Sequence, residues 1–161
     1  MLSHVLKRFF FAAILVCAVA HFTYAGEPVK PAPGAKCPVC GMFVAKYPDW
    51  VGQIHFKDGS VEFFDGAKDL FKYYFDLKKY RPGRTQKDTG DIYVTEYYDL
   101  RHIDARKALF VIGSDVYGPM GRELIPLATQ KDAHQFLGDH KGKRILKFED
   151  ITVKVIQSLD Q

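Results

Sequence analysis

Cys37, Cys40, Met42 and Met120 are the side chains of this 161-residue chain whose types and spacing best suit chemistry. The first three lie in one short run, Cys37-Pro38-Val39-Cys40-Gly41-Met42, and the fourth in Gly118-Pro119-Met120-Gly121. Thiolate and thioether are soft donors, the class that Cu(I) prefers. Gly41, between Cys40 and Met42, lets the backbone turn so that both sulfurs face one ion. Met120 sits among glycines and a proline, which predicts an exposed turn; a lone Met is otherwise ordinary core filler.

Other uses of the two cysteines compete with copper. A c-type haem site needs His after the second Cys, and Gly41 stands there. A structural zinc site needs further ligands, but there is no second Cys pair, and only His134 and His140 show a ligand-like separation. A thioredoxin-type pair sits where a strand meets a helix N-terminus, whereas here a Pro-rich stretch precedes the motif and a β-type run follows. A disulfide between neighbours so close closes a very small loop and contributes less than the ~3 kcal/mol of a 15-residue loop. A thiol–disulfide redox protein using Cys37 and Cys40, and a zinc-binding module, therefore stand as alternatives to copper. His102 is a candidate fourth ligand. His55, between Ile54 and Phe56, reads as a structural histidine in a strand. No nucleophile–His–acid arrangement or phosphate-cradling glycine loop is visible.

The elements that must position these sulfurs begin after a leader. Residues 1–25 run as a basic start (Lys7, Arg8), an apolar stretch from Phe9 to Ala20, then Thr23-Tyr24-Ala25. This is the order of a secretory signal peptide cleaved before Gly26. The apolar core is too short for a membrane span of ~20 residues. Lipidation at Cys17 is the other way such a leader ends, and would attach the chain to a membrane. The expected location is periplasmic. Without the leader the chain has 21 basic and 19 acidic residues, a net charge of +2 against +4 for the whole. With no Lys/Arg stripe and no nucleic-acid motif, that balance excludes a nucleic-acid footprint. Hydrophobic residues at 47% and charged residues at 26% exclude a disordered chain.

Residues 26–36 read as a mobile Pro/Gly/Lys tether. Two similar units follow, over 37–100 and 101–161. In the first, Met42–Lys46, Trp50–Phe56 and Val61–Phe64 are predicted strands, with Asp58-Gly59 as a hairpin turn. Asp65 is the predicted N-cap of a helix whose apolar face is Ala67, Leu70, Phe71 and Tyr74. Ile92–Tyr98 is a β-rich run. In the second, Ala108–Gly113, Glu123–Pro126 and Arg144–Phe148 are predicted strands, and Thr129 caps a helix presenting Ala133, Phe136 and Leu137. Asp150 is the expected cap of a last short helix. The expectation is an α+β fold of two ββαβ units with antiparallel sheets and one main helix each.

Cys40-Gly41-Met42, Ile103-Asp104-Ala105-Arg106-Lys107-Ala108, Phe110-Val111-Ile112-Gly113-Ser114 and Gly118-Pro119-Met120-Gly121 resemble the NosL family, as does the closing Phe148-Glu149-Asp150-Ile151. The resemblance implies two ββαβ units related in fold to organomercurial lyase. It also implies an exported, non-enzymatic accessory factor that binds Cu(I) through Cys40, Met42 and Met120. Its implied partner is a recipient cuproenzyme, nitrous oxide reductase or its maturation complex. Members often carry a single Cys before Gly-Met; this chain adds Cys37, as a further ligand or an oxidisable partner.

Overall fold

The computed structural model describes residues 26–161; the predicted leader and Cys17 lie outside the described residues. Two residues of the predicted Trp50–Phe56 strand lie outside it: Trp50 ends the preceding 3₁₀ turn, Pro48–Trp50, and Val51 links the two. Strand β1 is Gly52–Phe56, buried along its length. Asp58-Gly59 then reverses the chain, Gly59 taking a φ of +86° that a side chain would resist. It returns as β2, Val61–Phe64, antiparallel to β1. Helix α1 (Ala67–Phe75) follows, buries Leu70, Phe71, Tyr73 and Tyr74, and breaks at Asp76 before the single turn α2 (Leu77–Tyr80). β3 (Thr89–Thr95) returns beside β1, and β4 (His102–Asp104) pairs with β3, completing a sheet in the order β2-β1-β3-β4.

The second unit repeats the connectivity. β5 (Leu109–Ile112) is central, flanked by β8 (Ile125–Leu127) and β9 (Arg144–Lys147), with α3 (Gln130–Asp139) between those two in sequence. The order β8-β5-β9 matches β2-β1-β3. This is the expected α+β arrangement. A two-residue-per-strand hairpin, β6 (Tyr117–Gly118) and β7 (Gly121–Arg122), projects between β5 and β8 with Pro119 and Met120 at its tip. Helix α4 (Val153–Ser158) closes the chain against α1.

β5 reads as a continuous apolar run because both of its faces are covered. Phe110 and Ile112 enter the main core, where the Phe110 ring meets Phe71 of α1 edge-on at 5.4 Å. Leu109 and Val111 point the other way, into a smaller core with Ile125, Leu127, Ala133 and Phe136. No helix among the described residues is long and apolar enough to cross a membrane.

Local expectations differ from the structure in four further places. Met42–Lys46 is not a strand: a lone bridge between Lys36 and Phe43 is all the pairing found there, and Val44–Lys46 winds into a 3₁₀ turn. Asp65 does not cap α1, whose N-cap is Gly66 without a side-chain bond. Thr152, not Asp150, caps α4, accepting from the Val155 amide. The Pro-rich stretch lies against the first sheet, the Val29 amide donating to Gln53 Oε1 at 2.9 Å.

Candidate metal centre

Cys37 to Met42 form a tight loop on the N-terminal side of β1. The Cys37 amide donates to the Met42 carbonyl at 2.8 Å and the Gly41 amide to the Cys37 carbonyl at 2.9 Å. Gly41 holds a φ of +79°, with open space where a Cβ would stand. Its glycine is therefore required by backbone conformation, not by crowding. The turn brings the Cys40 and Val39 amides onto Cys37 Sγ and the Met42 amide onto Cys40 Sγ. Both cysteines are free thiols.

Facing the sulfurs is the junction of β2 and α1. Cys40 Sγ donates to Asp65 Oδ1 at 3.2 Å, and Cys37 Sγ to Asp69 Oδ2 at 3.5 Å. One donor atom from each of these four residues lies within 4.8 Å of every other. Cys37, Asp65 and Asp69 are 1%, 1% and 2% exposed, and Cys40 is half-buried. Asp65 Oδ2 and Asp69 Oδ1 are buried without a hydrogen-bond partner among the described residues, although Lys72 Nζ stands 3.8 Å from the latter. A buried carboxylate oxygen left unmatched is costly, so this cluster holds unused donor capacity.

The electrostatics follow from burial. Burial pushes the Cys37 thiol far above its ordinary range, with Asp65 adding to the shift. Burial likewise pushes Cys40 up to about 11 and raises Asp69. Bringing a cation to the two sulfurs replaces their thiol protons.

The Met120 hairpin of the second unit is tied through its backbone to α1, the helix that carries Asp69. Met120 is 41% exposed at the β6–β7 tip, and its carbonyl accepts from Lys68 Nζ at 2.7 Å. Lys68 lies on α1 between the two carboxylates' positions in sequence, and also pairs with Asp160 at 3.2 Å. Glu123, just after the hairpin, is a second tie. Its Oε1 accepts from the Lys68 amide at 2.5 Å and from the Leu124 amide at 2.9 Å. A Cβ on Gly66 would collide with that carboxyl, and one on Gly118 would crowd it; the two glycines let hairpin and helix close on Glu123. Burial outweighs both amide bonds and pushes Glu123 up to about 8.

The structure thus gathers Cys37 and Cys40 into one cluster, sets Met42 in the same loop, and ties the Met120 hairpin to the helix that carries Asp69. His102 lies on β4, outside the four-residue cluster, with Nε2 3.3 Å from Gln53 Nε2 and Nδ1 3.4 Å from Thr95 Oγ1. His55 is 9% exposed, bonded to Gln53 and edge-on to Tyr93. Asp65 and Asp69 were not foreseen as site residues. Their signal was an i,i+4 pair of acids at the start of a helix otherwise rich in apolar residues, which a helix-cap reading absorbed.

The NosL family model matches residues 28–156, nearly the whole described chain. The chain belongs to the NosL family. A NosL relative from Stutzerimonas stutzeri, a copper-binding lipoprotein, is 32% identical over 139 residues, covering 81% of this chain and 69% of that protein. The crystal structure of the copper chaperone NosL from Shewanella denitrificans superposes with a TM-score of 0.66 at 27% identity. That match covers 80% of this chain and 98% of the Shewanella NosL. The NosL fold is therefore the α+β arrangement of paired units described above.

Proposed function

We propose that this NosL protein is an exported metallochaperone that binds Cu(I) through Cys40, Met42 and Met120, with Cys37 as an additional thiolate. Its cargo passes to an assembling cuproenzyme, nitrous oxide reductase or its maturation complex. The observation that carries this reading is the convergence of the Cys-Gly-Met loop and the Met120 hairpin on the first turn of α1, joined by the Lys68–Met120 hydrogen bond. Soft donors from both units, with one thioether left exposed, suit an ion that must be held and then released. The relatives' copper-binding and chaperone roles support it. The test is anaerobic Cu(I) competition on the exported protein. Cys40→Ser, Met42→Ile and Met120→Ile should each weaken binding; if Met120→Ile binds as tightly as wild type, the ligand role of Met120 fails.

One observation favours a second ion at the same place. Two thiols and two buried carboxyls make a mixed set that suits a borderline divalent ion such as Zn(II) better than a soft monovalent one. Zn(II) uptake that depends on Asp65 and Asp69 but not on Met120 would establish it. The thiol–disulfide alternative finds no support in the electrostatics. Redox catalysis needs a thiol of lowered pKa, and both cysteines are shifted upward.

A further inference from the structure

Gly26 is held at the far end of the first sheet by contacts that ordinary tethers lack. Its nitrogen donates to Asp91 Oδ2 at 2.9 Å, and its carbonyl accepts from the Tyr93 hydroxyl at 2.6 Å. Three residues on, the Val29 amide reaches Gln53 Oε1, and that oxygen also faces His55 Nε2 at 3.1 Å. A Cβ on residue 26 would stand 2.8 Å from His55 Nδ1. Asp91 has no ion-pair partner among the described residues. Its nearby titratable neighbours are His55 and Tyr93, with Asp104 and Glu27 adding only negative charge around the tyrosine. Burial lowers the His55 pKa, so this ring supplies no cation near neutral pH.

We propose that Asp91, Tyr93, Gln53 and His55 form a receptor for a processed amino terminus at Gly26, whose α-ammonium pairs with the Asp91 carboxylate. The export endopeptidase adds water across the Ala25–Gly26 bond. Ala25 departs with the leader as a carboxylate, and the Gly26 nitrogen takes up a proton. An amide donor at that position then becomes a charged one, and charge-assisted hydrogen bonds are the stronger class. A side chain at position 26 would press on the His55 ring, and the Asp91 carboxylate stands where the new charge arises. Docking fixes the start of the chain, whose residues Pro28 to Pro31 line a groove of about 320 Å³ together with Val51 and His102. The approach to Cys37 is thereby anchored at its far end.

The experiment uses the exported full-length protein. Intact mass should correspond to a chain starting at Gly26; a mass showing retained residues before it, including an acylated Cys17, overturns the proposal. Hydrogen–deuterium exchange then reads residues 26–36. Protection of the Val29 amide should fall roughly tenfold or more in Asp91→Asn and in Gly26→Ala, the effect of losing a hydrogen bond to a charged group. A protein purified with Ala25 retained keeps only the uncharged amide donor at Gly26, its ammonium displaced by ~3.8 Å, and should lose part of the same protection. Equal protection with and without Ala25 overturns the charge pairing. Anaerobic Cu(I) competition should be unchanged in Asp91→Asn, so this proposal and the copper reading fail separately.

Discussion

Lys68 Nζ donates to the Met120 carbonyl at 2.7 Å, which binds the tip of the second unit's hairpin to the helix beneath the first unit's sulfurs. Lys68 is itself buried, so its ammonium is held for this contact and for Asp160. Lys68→Met keeps the aliphatic stem and deletes the tie. Cu(I) affinity should fall about tenfold, the lower range for losing a group that orients a ligand. Anaerobic competition with a chromophoric Cu(I) chelator measures it; affinity equal to wild type would show that the tether does not position Met120.

Gly41 holds a left-handed backbone with open space around it. Gly41→Ala should cost ~1–2 kcal/mol from backbone strain alone. A drop in the urea midpoint with an unchanged slope reads this out. The same substitution should weaken Cu(I) binding, because the loop that aims the Cys40 and Met42 donors relaxes.

Glu123 makes the fold sensitive to pH. Its carboxyl is pushed up to about 8 from an ordinary value near 4.5. Between those values the folded protein binds a proton that the unfolded chain has released, so unfolding free energy falls as pH rises. The contribution is whole below about 4.5 and gone above about 8. Glu123→Gln keeps an oxygen for the Lys68 and Leu124 amides and removes the titration. Its stability, followed by chemical denaturation of the apo-protein, should flatten across that window while wild type slopes downward.

Asp65 presses a carboxylate against a thiol that must lose its proton to bind metal. Asp65→Asn removes that charge and should make Cu(I) binding at pH 7 tighter by several-fold, with a shallower rise toward alkaline pH. Zn(II) uptake should fall in the same variant. Paired competition titrations at pH 6.5 and 8 resolve the two effects.

Much of this fold is written locally. Asp58-Gly59 marks its hairpin because few other dipeptides take that backbone, and Thr129 caps α3 as its spacing to Asp132 predicts. The apolar run at Leu109–Ile112 signals a strand covered on both faces. The errors arise where a tertiary partner overrides a local preference. Met42–Lys46 has β-type residues but a single bridge to pair with, and Pro48 closes off its extension. Asp65 is a good cap by type, yet its carboxyl turns to Cys40, a residue 25 positions away. The sulfurs were legible because their chemistry is rare and their spacing short. Asp65, Asp69, Lys68 and Glu123 were not, since acids and lysines are common and only the packing of the hairpin against α1 singles these out.

Each residue of β5 serves one of the two cores, alternately, so neither core survives the loss of this strand. The strand is a shared wall. Its consequence is cooperativity: the two units should melt in one transition, without a stage in which one is folded alone. Donors drawn from both units are then present together or not at all. On the proposed Cu(I) site, the ion would not be shed by loosening half the molecule, and its release would call for an incoming donor at the exposed thioether of Met120.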